Sequence, residues 1–319
     1  MEMLRLIAWG FATCVLVLGP GVASAQTYPT KVMRIVTAAV GSTNDFVSRI
    51  VAKELTRNLG QPVIVENLGG SRAMESVVRV APDGHTMLFY GSAAWLMPLL
   101  RRENYDPVAD LAPVTWAVSQ PNVVVVHPSL PVKSLRELIA LAKARPGELN
   151  YSAGTVGAGP HMQMELFKSM AGVDIVRVPY KGTGPSVLAL IAGEVNMMIA
   201  GLGSVDSHMK SGKLRALAVA SIGQCPLTPG LPTVDESGLP GFEAASRMGF
   251  LVPAKTPPAI TQRLREEIAR CLNRREVKEL LFKNGIEAVG STPEEFASLI
   301  KTEMAQAAKL IREGRIRIE

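Results

Sequence analysis

"YSAGTVGAGPHMQMELF", Tyr151 to Phe167, is the end of a short strand that breaks on glycine and runs directly into an amphipathic helix. A turn of this kind points backbone N–H groups at whatever sits before the helix, so it doubles as an anion cradle. The strand, helix, strand rhythm to which it belongs argues for parallel sheets with helices on both faces.

The rhythm extends in both directions. Upstream, "KVMRIVTAA" is a β-branched run that stops at Gly41, and "DFVSRIVAKELTRNLG" places Phe46, Val47, Ile50, Val51, Leu55 and Leu59 at helical spacing before Gly60. "PVIVEN", "HTMLFY" and "NVVVVH" read as buried strands. Ser134 is an N-cap for "LRELIALAKARPG", with Glu137 completing a capping box. Downstream come the strand "DIVRVPY", the helix "PSVLALIAGE", the strands "VNMMIAG" and "LRALAVAS", and a long Pro/Gly-rich connection. "MGFLVPAK" returns to strand character. Two amphipathic helices close the chain, the second opened by Thr292 as N-cap, Pro293 and Glu295.

We therefore expect an α/β protein of two lobes, each a mainly parallel sheet flanked by helices, with a hinged cleft between them. The first lobe is expected from residues 26–127 and 246–319 and the second from 128–245. Periodicity alone also allows two tandem domains. Loops at the carboxyl ends of parallel strands would face the cleft.

At the start of the chain, Arg5, the apolar run "LIAWGFATCVLVLG" and the small residues Ala23 and Ala25 read as a secretory signal cleaved after Ala25. An uncleaved anchor would need about 20 apolar residues, and Gly10, Gly19, Pro20 and Gly21 interrupt or end the run. The expected location is outside the inner membrane, in the periplasm where two membranes exist. The 34 Lys plus Arg against 28 Asp plus Glu give a net charge of +6, spread along the chain rather than clustered with aromatics. That field suits small anions and not nucleic acid. Of the three cysteines, Cys14 falls in the signal; Cys225 and Cys271 are left bridged or free by the sequence. No Cys/His spacing suggests a metal site, and no cofactor is implied.

Four strand-to-helix turns are candidate binding loops. The first is Gly41, Ser42, Thr43, Asn44 and Asp45, which offers a sharp turn, capping side chains and N–H groups. The second is Ser152, Ala153, Gly154, Thr155 and Gly157, with His161 opening the helix beyond it. The third is Tyr180, Lys181 and Gly182, a ring that can stack and a movable charge. The fourth, Ile199 to His208, reads as readily as a packed turn. "GTVGAG" lacks the G-x-G-x-x-G order of a dinucleotide site, and no GK[ST] follows any glycine run. There is no G-x-S-x-G elbow, and nothing sets Ser152, His161 and Asp45 in triad geometry. A binder, not an enzyme, is the expectation.

"YPTKVMRIV", "LGQPVIVEN", "APDGHTMLF", "LNYSAGTVGAGPHMQMELFKSMAG", "VPYKGTGPS", "GKLRALAVAS", "LPTVDESGLPGFEAASRMG", "FLVPAKTPPAI" and "STPEEFASLI" resemble, in order, the TctC-like or Bug-type extracytoplasmic solute-binding proteins of tripartite tricarboxylate transporters. The resemblance implies a periplasmic-binding-protein-like fold, expected to be a monomer, that closes on a small organic anion, usually a carboxylate, and delivers it to membrane permease subunits. A ligand-presenting sensory component or an exported hydrolase are the alternatives. It places the carboxylate between the Gly41–Asp45 loop and the Ser152–Gly157 turn. The chain departs from the pattern in its first loop, in the shorter "LGGSRAMES", and in Arg247, which stands where an aromatic is common. Facing the cleft, Arg247 would pair with a second carboxylate; facing solvent, it is one more surface arginine.

Overall fold

The computed structural model describes residues 28–154, 159–221 and 223–314. The expected signal segment, Thr155 and Gly157 lie outside the described residues. The chain begins with β1 (Met33–Thr37), α1 (Thr43–Leu59), β2 (Val63–Asn67), α2 (Ser71–Val78), β3 (Thr86–Gly91), α3 (Ala93–Leu100) and β4 (Leu111–Gln120). It continues through β5 (Asn122–Val126), α4 (Leu135–Ala144), β6 (Asn150–Ala153), α5 (Gly159–Ala171), β7 (Val176–Pro179), α6 (Thr183–Ile191), β8 (Met197–Gly201), α7 (Leu202–Lys210) and β9 (Arg215–Val219). It returns as β10 (Ser246–Pro253), α8 (Pro258–Asn273), α9 (Arg275–Lys283), β11 (Glu287–Ala288) and α10 (Pro293–Arg312).

Two sheets result, one in the order β11-β4-β10-β3-β1-β2 and the other β7-β6-β8-β5-β9. The α/β, two-sheet expectation holds, but the pairing is mixed rather than mainly parallel. β10 runs antiparallel to β3 and β4, and β5 antiparallel to β8 and β9. These are the strands on which the chain enters a lobe from the other one, so they run against the strands that the helical crossovers build. The same pairing moves the first crossing. β5 belongs to the second sheet, and the chain leaves the first lobe at Pro121, not after His127.

Alternation explains the cores. In β5, Val124 and Val126 join Leu138, Phe167 and Phe242 on one face, while Val123 and Val125 join Leu190, Val205 and Leu214 on the other. In β3, Met87 and Phe89 pack under α1 and α8, and Leu88 and Tyr90 pack under α2, α3 and α10. Each such strand is covered twice, which is why it reads as a continuous apolar run. Fully burying one of these side chains stabilises by about 1.5–3 kcal/mol.

Helix ends follow their caps. Ser42 accepts from Asp45 N–H, and Gly60, at φ 70°, donates to the Thr56 carbonyl in a left-handed conformation that favours glycine. Thr292 and Glu295 form a reciprocal box. At Ser134 the box is half made: Ser134 Oγ accepts from Glu137 N–H, but the Glu137 carboxylate takes the Lys133 N–H instead. A third C-terminal helix, α9, lies between the two expected ones.

The two crossings are tied by one side chain. Asn122, fully buried, donates from Nδ2 to Gln163 Oε1 and to the Ala244 carbonyl, both at 2.7 Å, and accepts from Ser246 Oγ at 3.1 Å. We expect Asn122→Ala, which removes the partner of Gln163 Oε1, of Ser246 Oγ and of the Ala244 carbonyl, to destabilise the protein by about 2–4 kcal/mol. Urea midpoints measure this, and an unchanged midpoint would remove Asn122 from that role.

Candidate functional site

The helix starts of both lobes converge beside these crossings. A Cβ built on Gly159, at the start of α5, would lie 3.5 Å from Ser246 Oγ and 3.7 Å from Ser92 Oγ, the residue before α3. Met162 of α5 is buried in the first-lobe core with Trp95 and Met97. Thr43, the first residue of α1, donates from Oγ1 to Gln120 Oε1 at 3.4 Å, and Gln120 in turn lies against Gly201 and Gly203 at the start of α7. The starts of α1 and α3 therefore face those of α5 and α7. First-turn N–H groups have no intrahelical acceptor and carry the positive end of the helix dipole, so this convergence favours an anion.

The first loop is held in shape by Asp45. Its Oδ2 accepts the Gly41 N–H at 3.0 Å, and its Oδ1 accepts Asn67 Nδ2 at 2.9 Å and pairs with Arg49 Nε at 2.9 Å. Asn67 also donates to the Ala38 carbonyl at 2.7 Å, stapling the loop to the end of β2. Gly41, at φ 77°, supplies the left-handed turn that brings its N–H back to the carboxylate. Burial pushes the Asp45 carboxyl up, but the Gly41, Asn67 and Arg49 contacts together outweigh it and leave the group below its ordinary range. Asp45 thus braces the loop, and Ser42, Thr43 and Asn44, half-buried, are left at its outer edge.

In the second lobe the turns after β6 and β7 touch: a Cβ on Gly154 would sit 3.2 Å from Gly182 Cα. Tyr180 N–H donates to the Ala153 carbonyl at 2.9 Å, and Arg177 donates to the Gly154 carbonyl at 3.0 Å. Ser152 does not offer its hydroxyl to the cleft. It is 1 % exposed, and its Oγ donates to the Ser186 carbonyl of α6 at 3.1 Å. Tyr180 is likewise committed within its lobe through a 3.2 Å bond from its hydroxyl to Glu194. His161 is buried on α5, while Lys181 is exposed beside Gly182.

Arg247 is not a free cation. Its guanidinium pairs with Glu243 and, at 3.5 Å, with Glu303, and lies 5.7 Å from the centre of the Trp116 ring. Glu303 also accepts from Trp95 Nε1 at 2.8 Å. Burial pushes the Glu303 carboxyl above its ordinary range, and the Trp95 and Arg247 contacts offset that only in part. Two carboxylates of the chain itself thus occupy the Arg247 guanidinium. Among the described residues there is no group of three or more His, Cys, Asp or Glu able to hold a metal.

Sequence reasoning missed Asn67, Ser92 and Gln120. Asn67 and Gln120 each end a strand just before a Gly or Pro break, the position from which a side chain reaches a neighbouring loop.

Two outcomes follow from this geometry. Asp45→Ala should cost about 1–3 kcal/mol at neutral pH, because it removes the acceptor of two hydrogen bonds and an ion pair. With a folded pKa below the ordinary value of about 3.9, the carboxylate's contribution is complete above about pH 4 and fades as pH falls through the folded pKa. Melting curves of the two proteins should converge on acidification; a gap constant with pH would assign the loss to packing. Arg247→Met should cost about 1–3 kcal/mol by leaving the half-buried Glu303 carboxylate without its cation, with only the Trp95 Nε1–H as partner. The folded pKa of Glu303 lies above the ordinary carboxylate range, so this deficit should shrink as pH falls through that raised pKa and the group protonates. A pH-independent deficit in urea midpoints would contradict the pairing.

The description "Tripartite tricarboxylate transporter family receptor" matches residues 47–316. Protein BugT of Bordetella pertussis is 35% identical over 323 residues, covering 98% of this chain and 98% of its own. An R. palustris protein solved with adipate is 32% identical with a TM-score of 0.83, covering 89% of this chain and 97% of that one. MatC from Rhodopseudomonas palustris, with bound malate, is 27% identical with a TM-score of 0.82, covering 89% and 100%. With the two-sheet fold and these relatives together, the chain belongs to the tripartite tricarboxylate transporter receptor family, the TctC and Bug solute-binding proteins.

Proposed function

We propose that this receptor works in the periplasm, closes on a small carboxylate between its lobes and hands it to the permease subunits of a tripartite tricarboxylate transporter. The observation that carries the reading is the convergence of the α1 and α3 starts with those of α5 and α7. Adipate and malate in two structural neighbours support the same ligand class.

In this reading the backbone of Gly41 to Asn44 holds the carboxylate from one side, and the turn that follows Ala153 and Gly154, with Gly182, holds it from the other. The same reading includes Thr155 and Gly157 among the ligand's contacts, with His161 in the first turn of α5. Lys181, exposed beside Gly182, adds a screened attraction. Each helix terminus contributes roughly 0.3–1 kcal/mol toward an anion at an exposed site, so several donors from both lobes must act together. Closure strengthens them by excluding water. The buried hydroxyl of Ser152 and the bracing carboxylate of Asp45 act by shaping these turns. The chain acts alone, with no cofactor and no chemistry of its own.

The test is a thermal-shift series on the chain lacking residues 1–25, with mono-, di- and tricarboxylates, aromatic acids, amino acids and uncharged amides. A ligand at about 100 times its Kd stabilises the native state by about 2.7 kcal/mol, which raises Tm by several degrees. We expect such a shift with one class of carboxylate. Shifts only with uncharged amides, or turnover of an ester, would overturn the reading.

A further inference from the structure

Gln120 ends β4 where the chain leaves the first lobe, and it is 4 % exposed. Its Oε1 accepts from Thr43 Oγ1 at 3.4 Å, which turns Nε2 toward α7. Nε2 is buried and has no hydrogen-bond partner among the described residues. A buried amide donor left unmade is costly, and native chains rarely retain one without a use for it.

The surroundings are shaped to this carboxamide. A Cβ on Gly201 would come within 2.4 Å of Oε1, and one on Gly203 within 2.9 Å of Nε2, so neither position admits a side chain while Gln120 stays where it is. Gly201 thus clears space for the amide, and Gly203 clears it for the amide and, more closely, for the Asn284 carbonyl, which a Cβ there would meet at 2.3 Å; neither glycine has positive φ. Leu202 N–H is taken by the Pro121 carbonyl at 2.9 Å, which fixes α7 against the crossing. The carboxamide accordingly lies where the starts of α1, of 17 residues, and α7, of 9 residues, meet across the lobes. An N–H donor between two positive helix ends is matched to a negatively charged oxygen.

We propose that Gln120 is a specificity-determining residue of the cleft, donating from Nε2 to a second carboxylate of the ligand and so favouring dicarboxylates over monocarboxylates with an apolar tail. The proposal rests on the carboxylate reading above. Thr43 is the positioning partner that sets the orientation of the amide.

Isothermal titration with matched pairs tests it: succinate against butyrate, and adipate against hexanoate. The wild-type chain should bind a dicarboxylate more tightly than its monocarboxylate partner. Gln120→Met, close in volume but without the donor, should lower dicarboxylate affinity roughly ten- to hundredfold and monocarboxylate affinity far less. Gln120→Glu, which sets a carboxylate against a carboxylate, should lose more. Thr43→Val, isosteric and at a half-buried position, removes the Oγ1 donor without touching Gln120 and should reduce the same discrimination by a smaller factor. The unliganded Gln120→Met protein should melt at the same temperature as wild type or higher, because an unsatisfied buried donor has been removed. A lower Tm with all affinities reduced alike would make Gln120 structural and overturn the proposal. So would unaltered discrimination in these variants. A wild-type chain that prefers monocarboxylates overturns the role of Gln120 and leaves the carboxylate reading standing. One that binds no acid of any class overturns both.

Discussion

The arrangement of the two lobes depends on one buried amide. Asn122 is the first residue after the outward crossing and reaches the return crossing at Ala244 and Ser246 and the helix α5 through Gln163. Both of its donors and its acceptor are used, which is the condition under which a buried polar network stabilises instead of costing. Farther from this pivot the lobes meet through packing. Met162 sits in the first-lobe core, and a Cβ on Gly203 would come within 2.3 Å of the Asn284 carbonyl. Hydrogen bonds hold the axis while small and flexible side chains meet at the edges, so a rotation about the axis disturbs few strong interactions.

That axis brings helix starts together, and the charges around them are arranged so that those starts dominate. Asp45 would repel an incoming anion if its charge stood alone, but Arg49, Asn67 and the Gly41 N–H consume it. Arg247 would attract one, but Glu243 and Glu303 consume that charge too. What remains near the convergence, among the described residues, is backbone N–H, the amide of Gln120 and the exposed, solvent-screened Lys181. The N–H and amide donors read geometry and hydrogen-bonding capacity, and they are desolvated at less cost than a guanidinium.

The fold was legible where a residue's role is local or periodic. The valines of β5 announced a strand covered on both faces, and Thr292 with Glu295 announced a helix start. The lobe boundary was not legible, because "NVVVVH" looks the same on either side of a crossing, and only pairing with β8 assigns it to the second sheet. Short helices such as α2 and α3 offer too few turns for periodicity to register. At the site, the glycine turns stood out because glycine has a conformational meaning of its own. Asn67 and Gln120 did not, since their importance lies in partners at Asp45 and Thr43, far away in sequence.

The same distinction separates the residues that shape the cleft from those that meet its contents. Asp45, Ser152, Tyr180 and Arg247 all have their polar atoms satisfied by the chain, so each gains nothing further by turning to a ligand. A group held in reserve for a ligand must be under-satisfied in the unliganded protein, and it costs stability there. By that criterion the N–H groups of the helix starts and Nε2 of Gln120 are the atoms whose state improves on binding. The stability given up at these atoms is the reservoir from which the selectivity of the cleft is drawn.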